Sequence, residues 1–416
     1  MLDFAAIQKQ AARYEKDMTA FLSDLIAIPS ESGKEKKLIE RIRREMKQTG
    51  AFDRIWTDGL GNLLATAGNG PRLIAIDAHV DTVGVGSLSE WKHDPYKARI
   101  EDGMIYGRGA GDQEGAIPPM VYAAKILRDL GILQRGKKSE YTLLLACTVM
   151  EEDCDGLPWQ YIVREGGLRP ECVVVTDSTN CQVLRGQRGR MEIGVRVFGK
   201  SCHGSMPEKG DNAVYKIARV ILEIERLNTR LAKDPFLGKG TVTVSYVDCK
   251  TPSLCAVPGE AYIHLDRRLT LGETRALALR QVRDAVKRAG VRAHVEVPRY
   301  EQPAYTGLVY PTDKYYPTWC EPEDAPQVRA AAEVYKNLYG RPAKVGRWIF
   351  STNAVAIAGM FGIPCVGFGP AEESVAHTVN DRVPIEHMVK CAAFYAAFPE
   401  TYCQAGPARK PRAKKA

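Results

Sequence analysis

Two histidines and five carboxylates in this chain stand where chemistry could gather: His79, Asp81, Asp112, Glu151, Glu152, Asp177 and His377. His79 and Asp81 belong to L-I-A-I-D-A-H-V-D-T-V-G-V-G, from Leu73 to Gly86. Residues two apart in an extended segment leave on the same side. A carboxylate beside a histidine accepts the proton of one ring nitrogen and frees the other as a metal ligand. On its own the pair is equally a polar strand end with a satisfied histidine. Glu151 and Glu152 are adjacent acids, which repel unless a positive charge lies close, and a metal ion supplies one. Asp112 sits in I-Y-G-R-G-A-G-D-Q-E-G-A, whose glycines allow tight turns around it. That loop lacks a following Lys-Ser/Thr and the dinucleotide spacing, so it reads as aiming one carboxylate inward. A buried ion-pair network without metal is the alternative for the set.

Three apolar runs must position these groups: the one ending in His79, Tyr141 to Thr148, and C-V-V-V before Asp177. They read as buried strands of a parallel sheet, whose carboxyl ends share one edge. Open α/β sheets bind ligands at that edge. His377 follows the strand I-P-C-V-G-F-G-P and a loop, so it reaches the same place. The spacing predicts one long amphipathic helix over about 5–25, a second over about 35–49 stopped by Gly50, and others near 118–130, 326–339 and 385–398. From Gly189 the order becomes strand, helix, strand, strand, helix, strand, the ferredoxin-like arrangement. The expected division is a first catalytic part over 1–188, an inserted α+β domain over 189–299, a second catalytic part over 300–404 and a disordered basic tail over 405–416, with linkers near 187–190 and 298–303.

The chain has 416 residues, 45% hydrophobic and 26% charged, an ordinary globular composition. No run of roughly 18 apolar residues suggests a membrane span, and the N-terminus lacks a secretory pattern. Eleven cysteines without a C-x-x-C pair point to reduced thiols and a cytoplasmic setting. The net charge of +8 includes Arg409, Lys410, Arg412, Lys414 and Lys415 in the tail, so a solvated tail is expected rather than a nucleic-acid partner. His93, His264, His294 and His387 fall on ordinary loop, strand or helix positions.

The pieces A-H-V-D-T-V, G-R-G-A-G-D-Q-E-G, M-E-E-D, V-T-D, C-H-G-S-M-P-E-K-G-D-N-A, L-D-R-R-L and V-A-H-T-V-N, in this order, resemble the acetylornithine deacetylase, succinyl-diaminopimelate desuccinylase and aminoacylase family of zinc peptidases and amidohydrolases. D-Q-E-G-A and F-S-T-N-A are most similar to its YgeY-type, selenium-metabolism hydrolases. The resemblance implies an α/β fold, with a mostly parallel-sheet catalytic domain and a ferredoxin-like lid and dimerisation domain. It implies two Zn²⁺ per chain, with Co²⁺ or Mn²⁺ as substitutes, held by His79, Asp112, Glu152, Asp177 and His377. Asp112 would bridge them, Glu151 would be the general base, and Asp81 would hold the His79 ring. On the lid, His203 would reach into the site of the other subunit of a homodimer and stabilise the oxyanion. Asn212 and Arg268 would hold the substrate carboxylate, and Gly369 would let backbone approach the substrate. Two positions depart from the family pattern, Glu114 for lysine and Asn353 for aspartate; both bear on pocket charge and on which acyl group fits.

The expected function is metal-dependent hydrolysis of an amide or peptide bond in a small substrate with a free carboxylate, such as an N-acyl amino acid or a dipeptide. The alternatives are an N-carbamoyl amino acid hydrolase and a non-catalytic metal-dependent binding protein on the same fold.

Overall fold

The apolar runs that precede the acidic and histidine positions form neighbouring strands. The computed structural model describes residues 2–405 and contains a nine-stranded sheet. Its centre is four parallel strands in the order Tyr141–Thr148, Arg72–His79, Cys172–Val175 and Cys365–Gly367. Antiparallel strands flank them, Leu63–Ala67 on one side and Val183–Gln187 on the other. Strands covered on both faces need apolar residues at every position, and Leu143, Leu144, Leu145, Val173 and Val174 are all fully buried. Helices Phe4–Arg13, Ile117–Asp129, Pro326–Tyr339 and Ile385–Gln404 cover one face, where the rings of Phe368 and Phe394 stack 3.7 Å apart. Trp159, Trp348 and the helical turn Val355–Met360 close the other. Shared strand direction brings His79, Glu151, Glu152 and Asp177 out at one edge.

The opening segment is two helices, Phe4–Arg13 and Glu15–Ile26, and not the single helix its periodicity suggests. Tyr14 interrupts it because that side chain is captured by the neighbouring helix: its ring lies 5.0 Å from that of Tyr122 and its hydroxyl donates to Asp129.

A second, antiparallel sheet runs Thr241–Lys250, Glu260–Leu269, Gly189–Phe198, Ala293–Glu296. Helices Ala213–Thr229 and Arg275–Arg288 pack on one of its faces over Met191, Ile193, Val195, Ile263 and Leu265. Alternation sends Arg190, Glu192, His264, Asp266 and Arg268 to the helix-free face. From 298–303 on, the chain packs on the core of the first sheet through Tyr300, Ala304 and Tyr310, and it then returns to this unit. Ala293–Glu296 pairs only with residues 194–197, so the start of Gly189–Phe198 is an open edge, and Tyr315–Tyr316 covers it. Of the tail expected over 405–416, residues 406–416 lie outside the described residues.

Gly367 shows how tightly the central sheet is closed: a Cβ there would come 2.1 Å from Cη2 of the buried Trp348 ring. Gly367→Ala is expected to destabilise the fold by about 1–3 kcal/mol through overpacking, read as a lower urea midpoint. Trp348→Phe in that background should recover part of the loss.

Candidate metal centre and active site

His79 is the last residue of its strand and is 1% exposed. Its Nδ1 lies 2.9 Å from the backbone oxygen of Asp81. A carbonyl only accepts, so Nδ1 carries the proton and Nε2 presents its lone pair to the site in the neutral ring. Asp112 makes the site two-sided, with Oδ1 3.1 Å from His79 Nε2 and Oδ2 3.3 Å from His377 Nε2. Glu152 Oε2 is 2.9 Å from His377 Nε2, and Asp177 Oδ1 is 3.9 Å from His79 Nε2. One carboxylate therefore stands between two imidazoles, with a further carboxylate beside each. Ligand atoms of His79, Asp112 and Glu152 all lie within 4.8 Å of one another.

The backbone around these groups is held by side chains that the sequence motifs left without a role. The N–H groups of Gly109 and Gly111 donate to Asp381 at 2.8 and 2.6 Å, and Arg108 Nη1 donates to it at 3.1 Å. These bonds fix the glycine loop so that Asp112 projects from it. Gln113 Oε1 accepts from His79 N at 3.0 Å and from Thr176 Oγ1 at 3.1 Å, tying the loop to two strand ends.

The Asp81 carboxylate, expected on the His79 ring, is 3.7 Å from it; the residue's backbone oxygen takes that bond instead. The carboxylate accepts from Glu151 N at 3.1 Å, Glu152 N at 3.0 Å and Ser32 Oγ at 2.6 Å. Met150 presents those two amides by adopting φ 62°. A left-handed non-glycine residue costs about 1–2 kcal/mol, which the bonds to Asp81 offset.

Burial pushes the Glu151 and Asp177 carboxyls well above the usual range, and burial together with the Asp112 charge raises Glu152 to about 7. Burial would raise Asp112 too, but the bonds from His377 and His79 outweigh it and hold Asp112 far below that range. His377 is raised to about 10 by its bonds to Asp112 and Glu152. Burial pulls His79 down, yet the bond to Asp112 and the charges of Glu151, Asp112 and Asp81 carry it well above its ordinary value. Crowded acids of this kind call for a cation. Glu151 Oε1, Glu152 Oε1 and Asp177 Oδ2 are buried without a hydrogen-bond partner. Unmatched carboxylate oxygens beside imidazole nitrogens are a fitting donor set for a divalent metal.

These groups floor a cleft of about 290 Å³, whose walls include Asp155, Arg190, Arg268, Phe350, Ser351 and Glu373. Of the wall residues, the sequence gives a role to Arg268 alone, although Phe350 and Ser351 lie in F-S-T-N-A. Arg190 is its cross-strand partner in register, a relation visible only once the strands are paired. Asp155 continues the acidic run after Glu151, and its Oδ1 accepts from Arg190 Nη1 at 3.0 Å.

The other expected site residues lie elsewhere. His203 and Asn212 line a separate cleft of about 680 Å³ beside the second sheet. Asn212 Oδ1 caps helix Ala213–Thr229, accepting from Val214 N and Tyr215 N. Gly369 faces the backbone of the chain itself, because a Cβ there would come 1.9 Å from Thr176 O and 2.3 Å from Asp177 O. Its small size lets two strand ends touch; it does not line the metal cleft. Glu114 and Asn353 do not line it either. Glu114 is buried against Ser30 Oγ, and Asn353 Nδ2 donates at 3.0 Å to Asp77 Oδ2 and to Thr148 Oγ1. The two departures therefore sit behind the site, in its supports.

Residues 75–401 match the peptidase family M20/M25/M40. A protein of Escherichia coli K12, YgeY, described as uncharacterized, is 50% identical over 400 residues, 96% of this chain and 97% of its own length. Succinyl-diaminopimelate desuccinylase of Legionella pneumophila (strain Lens) is 25% identical over 268 residues, 62% of this chain and 70% of the relative. The crystal structure of aminopeptidase PepT from Bacillus cereus ATCC 10987 superimposes with a TM-score of 0.71 at 20% identity, covering 94% of this chain and 99% of that one.

Asp381→Ala would strand the buried Arg108 guanidinium and two loop N–H groups. The expected result is about 3–5 kcal/mol of lost stability. A fall of about 10–100-fold in metal affinity should accompany it, read by competition with a zinc chelator.

Proposed function

We propose, from the premise that this chain belongs to peptidase family M20/M25/M40, that it cleaves the amide bond of a small carboxylate-bearing substrate using two zinc ions in one cleft. Membership makes it a metal-dependent hydrolase of amide or peptide bonds. The observation that carries the two-ion reading is Asp112, with one oxygen toward His79 and the other toward His377. His79 and Asp177 would hold one ion, His377 and Glu152 the other, and Asp112 both. Bound there, the ions would polarise the scissile carbonyl and lower the pKa of the attacking water.

The remaining steps fall to the chain. Glu151 lies beside the site, with Oε2 3.9 Å from His79 Nε2 and Oε1 unpartnered. It takes the proton of the attacking water and passes it to the leaving amine. Arg268 gives Nε and Nη2 to Asp266 at 2.8 and 3.0 Å, which leaves Nη1 to hold the substrate carboxylate. His203 Nδ1 accepts from Ser205 N at 3.1 Å, so in the neutral ring Nε2 is a donor, suited to a developing oxyanion. We assign that donor to the site of a partner subunit. A homodimer through the second sheet is supported by the outer edge of Thr241–Lys250, which exposes Tyr246 and Val247. Asn212, beside His203 in the same cleft, would help to hold the substrate carboxylate.

No helix among the described residues is long and apolar enough to cross a membrane. All eleven cysteines are free, which supports a reducing, cytoplasmic setting. The tail's charge gives no reason to add a nucleic-acid partner.

The test is metal content and hydrolysis on one purified sample, over N-acetyl, N-succinyl and N-carbamoyl amino acids and dipeptides. Two zinc ions per chain, with turnover abolished by chelation and restored by zinc, are expected. Glu151→Gln should keep both ions and lose roughly 10²–10⁴-fold in kcat. One metal or none, with no turnover after zinc, cobalt and manganese loading, would overturn the reading.

A further inference from the structure

We infer that Glu373 makes the metal cleft selective for substrates whose end remote from Arg268 carries N–H donors, an ammonium or a carbamoyl NH₂, and against acyl groups that end in a second carboxylate. The inference rests on the amide-hydrolase reading above and deepens it.

All but one of the charged side chains that line the cleft have a partner or a role in it. Asp112, Glu152 and Asp177 face the two imidazoles, and Glu151 is the base. Asp155 is matched by Arg190, which also donates to Glu192 at 2.6 Å, so that pair is spoken for on both sides. Arg268 is matched along one edge by Asp266 and keeps Nη1. Glu373 remains. It lies in the short helical turn Glu373–Val375, on the same loop as His377, and lines the cleft. Among the described residues no lysine, arginine or histidine nitrogen comes within ion-pair reach of it. Burial raises its carboxyl to about 7, and the backbone N–H of Ile349 and the more distant charge of Arg347 pull the other way. A carboxylate has about four acceptor positions, so most of this one's capacity is left for a ligand.

The cleft thus offers a substrate one free donor edge and one unpaired carboxyl, which an ammonium placed beside it would hold ionised. Arg268 comes from the second sheet and Glu373 from a loop of the first, so the two approach a bound molecule from different walls. A carboxylate on Arg268 Nη1 and an N–H-bearing group on Glu373 satisfy both. An acetyl group offers Glu373 only a methyl. A succinyl group would bring a second carboxylate against it, so that either the two repel or one must take up a proton, and both cost binding. At about 290 Å³ the space suits a molecule of dipeptide size.

The experiment uses four compounds with one amino-acid half: glycyl-, N-carbamoyl-, N-acetyl- and N-succinyl-alanine. Their binding is measured by calorimetry on the zinc-loaded Glu151→Gln chain, and their kcat/KM on the active enzyme, with zinc content determined for each sample. The glycyl or carbamoyl compound should bind at least about tenfold more tightly than N-acetyl-alanine, and N-succinyl-alanine most weakly. Adding Glu373→Gln should cost an ammonium ligand about tenfold but a carbamoyl ligand much less, since the glutamine oxygen still accepts; this separates the two donors. Glu373→Lys should move N-succinyl-alanine to the top of the order. Equal binding of all four within about twofold, or a Glu373→Lys effect that is the same on each, would overturn the inference. Turnover with a flat binding order leaves the hydrolase standing and removes the selectivity. A preserved binding order with no turnover of any compound does the opposite.

Discussion

The structure depends on one electrostatic constraint, the gathering of five carboxylates and two imidazoles, most of them buried, at the carboxyl edge of a parallel sheet. Like charges so placed repel, and burial penalises each charged form further. Asp112 relieves part of this by standing between His79 and His377, where both rings favour its ionised state. Glu151 and Asp177 have no imidazole bond and Glu152 has only that of His377, so burial pushes all three the other way. A carboxylate set split in this manner is stable as a cation-binding floor and costly as anything else. That is why the neighbouring backbone is committed to holding it: Asp381 to the loop before Asp112, Gln113 to two strand ends, Asp81 to the amides of Glu151 and Glu152.

The layer behind the floor follows from the same constraint. Asp77, one turn of the pleat before His79, is fully enclosed, and burial raises its carboxyl to about 6. Asn353 and Thr148 both serve it, and Asn353 also accepts from Gly156 N at 3.1 Å. An aspartate at 353 would set a second buried carboxylate against the first; the amide donates instead. Glu114 is handled differently. It stays enclosed with one oxygen unmatched, and burial carries its carboxyl well above the usual range. A buried carboxyl in that state is closer to a neutral packing group than to a charge, so it adds little to the field in the cleft.

The strands that deliver the metal-facing residues were legible because a strand buried on both faces must be apolar throughout, and such runs end visibly in polar residues. The order of elements in the second unit was legible for a related reason, since alternation marks its strands and helical spacing its two helices. What the chain did not disclose were relations made only by tertiary contact. Tyr14 looks helical until its hydroxyl meets Asp129. Asp81 is two residues from His79, yet its carboxylate turns to amides seventy residues away in the chain. Gly369 carries the signature of close approach, and the thing approached is the chain's own Asp177 strand end. The walls of the cleft, Arg190, Asp155 and Glu373, come from three separate segments and share no motif.

One of those wall contacts also governs how the two sheets can move. Arg190 opens the strand Gly189–Phe198 and is bound to Asp155, on the loop that follows Glu151 and Glu152. Tyr300 and Lys314 fasten the same loop, donating to Asp153 Oδ2 at 2.9 Å and to Asp153 O at 3.0 Å. The second sheet is thus anchored at this end by polar contacts, and breaking the Arg190–Asp155 pair would leave the buried Asp155 carboxylate without its counter-charge. A rigid-body movement of the sheet must turn about the anchored end. Arg268, paired in register with Arg190, sits near the pivot and keeps its place at the cleft. His203 lies beyond Phe198, at the far end of the same strand, where a ten-residue lever gives the largest travel. Arg268 and His203, the two residues proposed to act on substrate from this sheet, are thus placed at opposite ends of one stiff element, an arrangement suited to a closing motion.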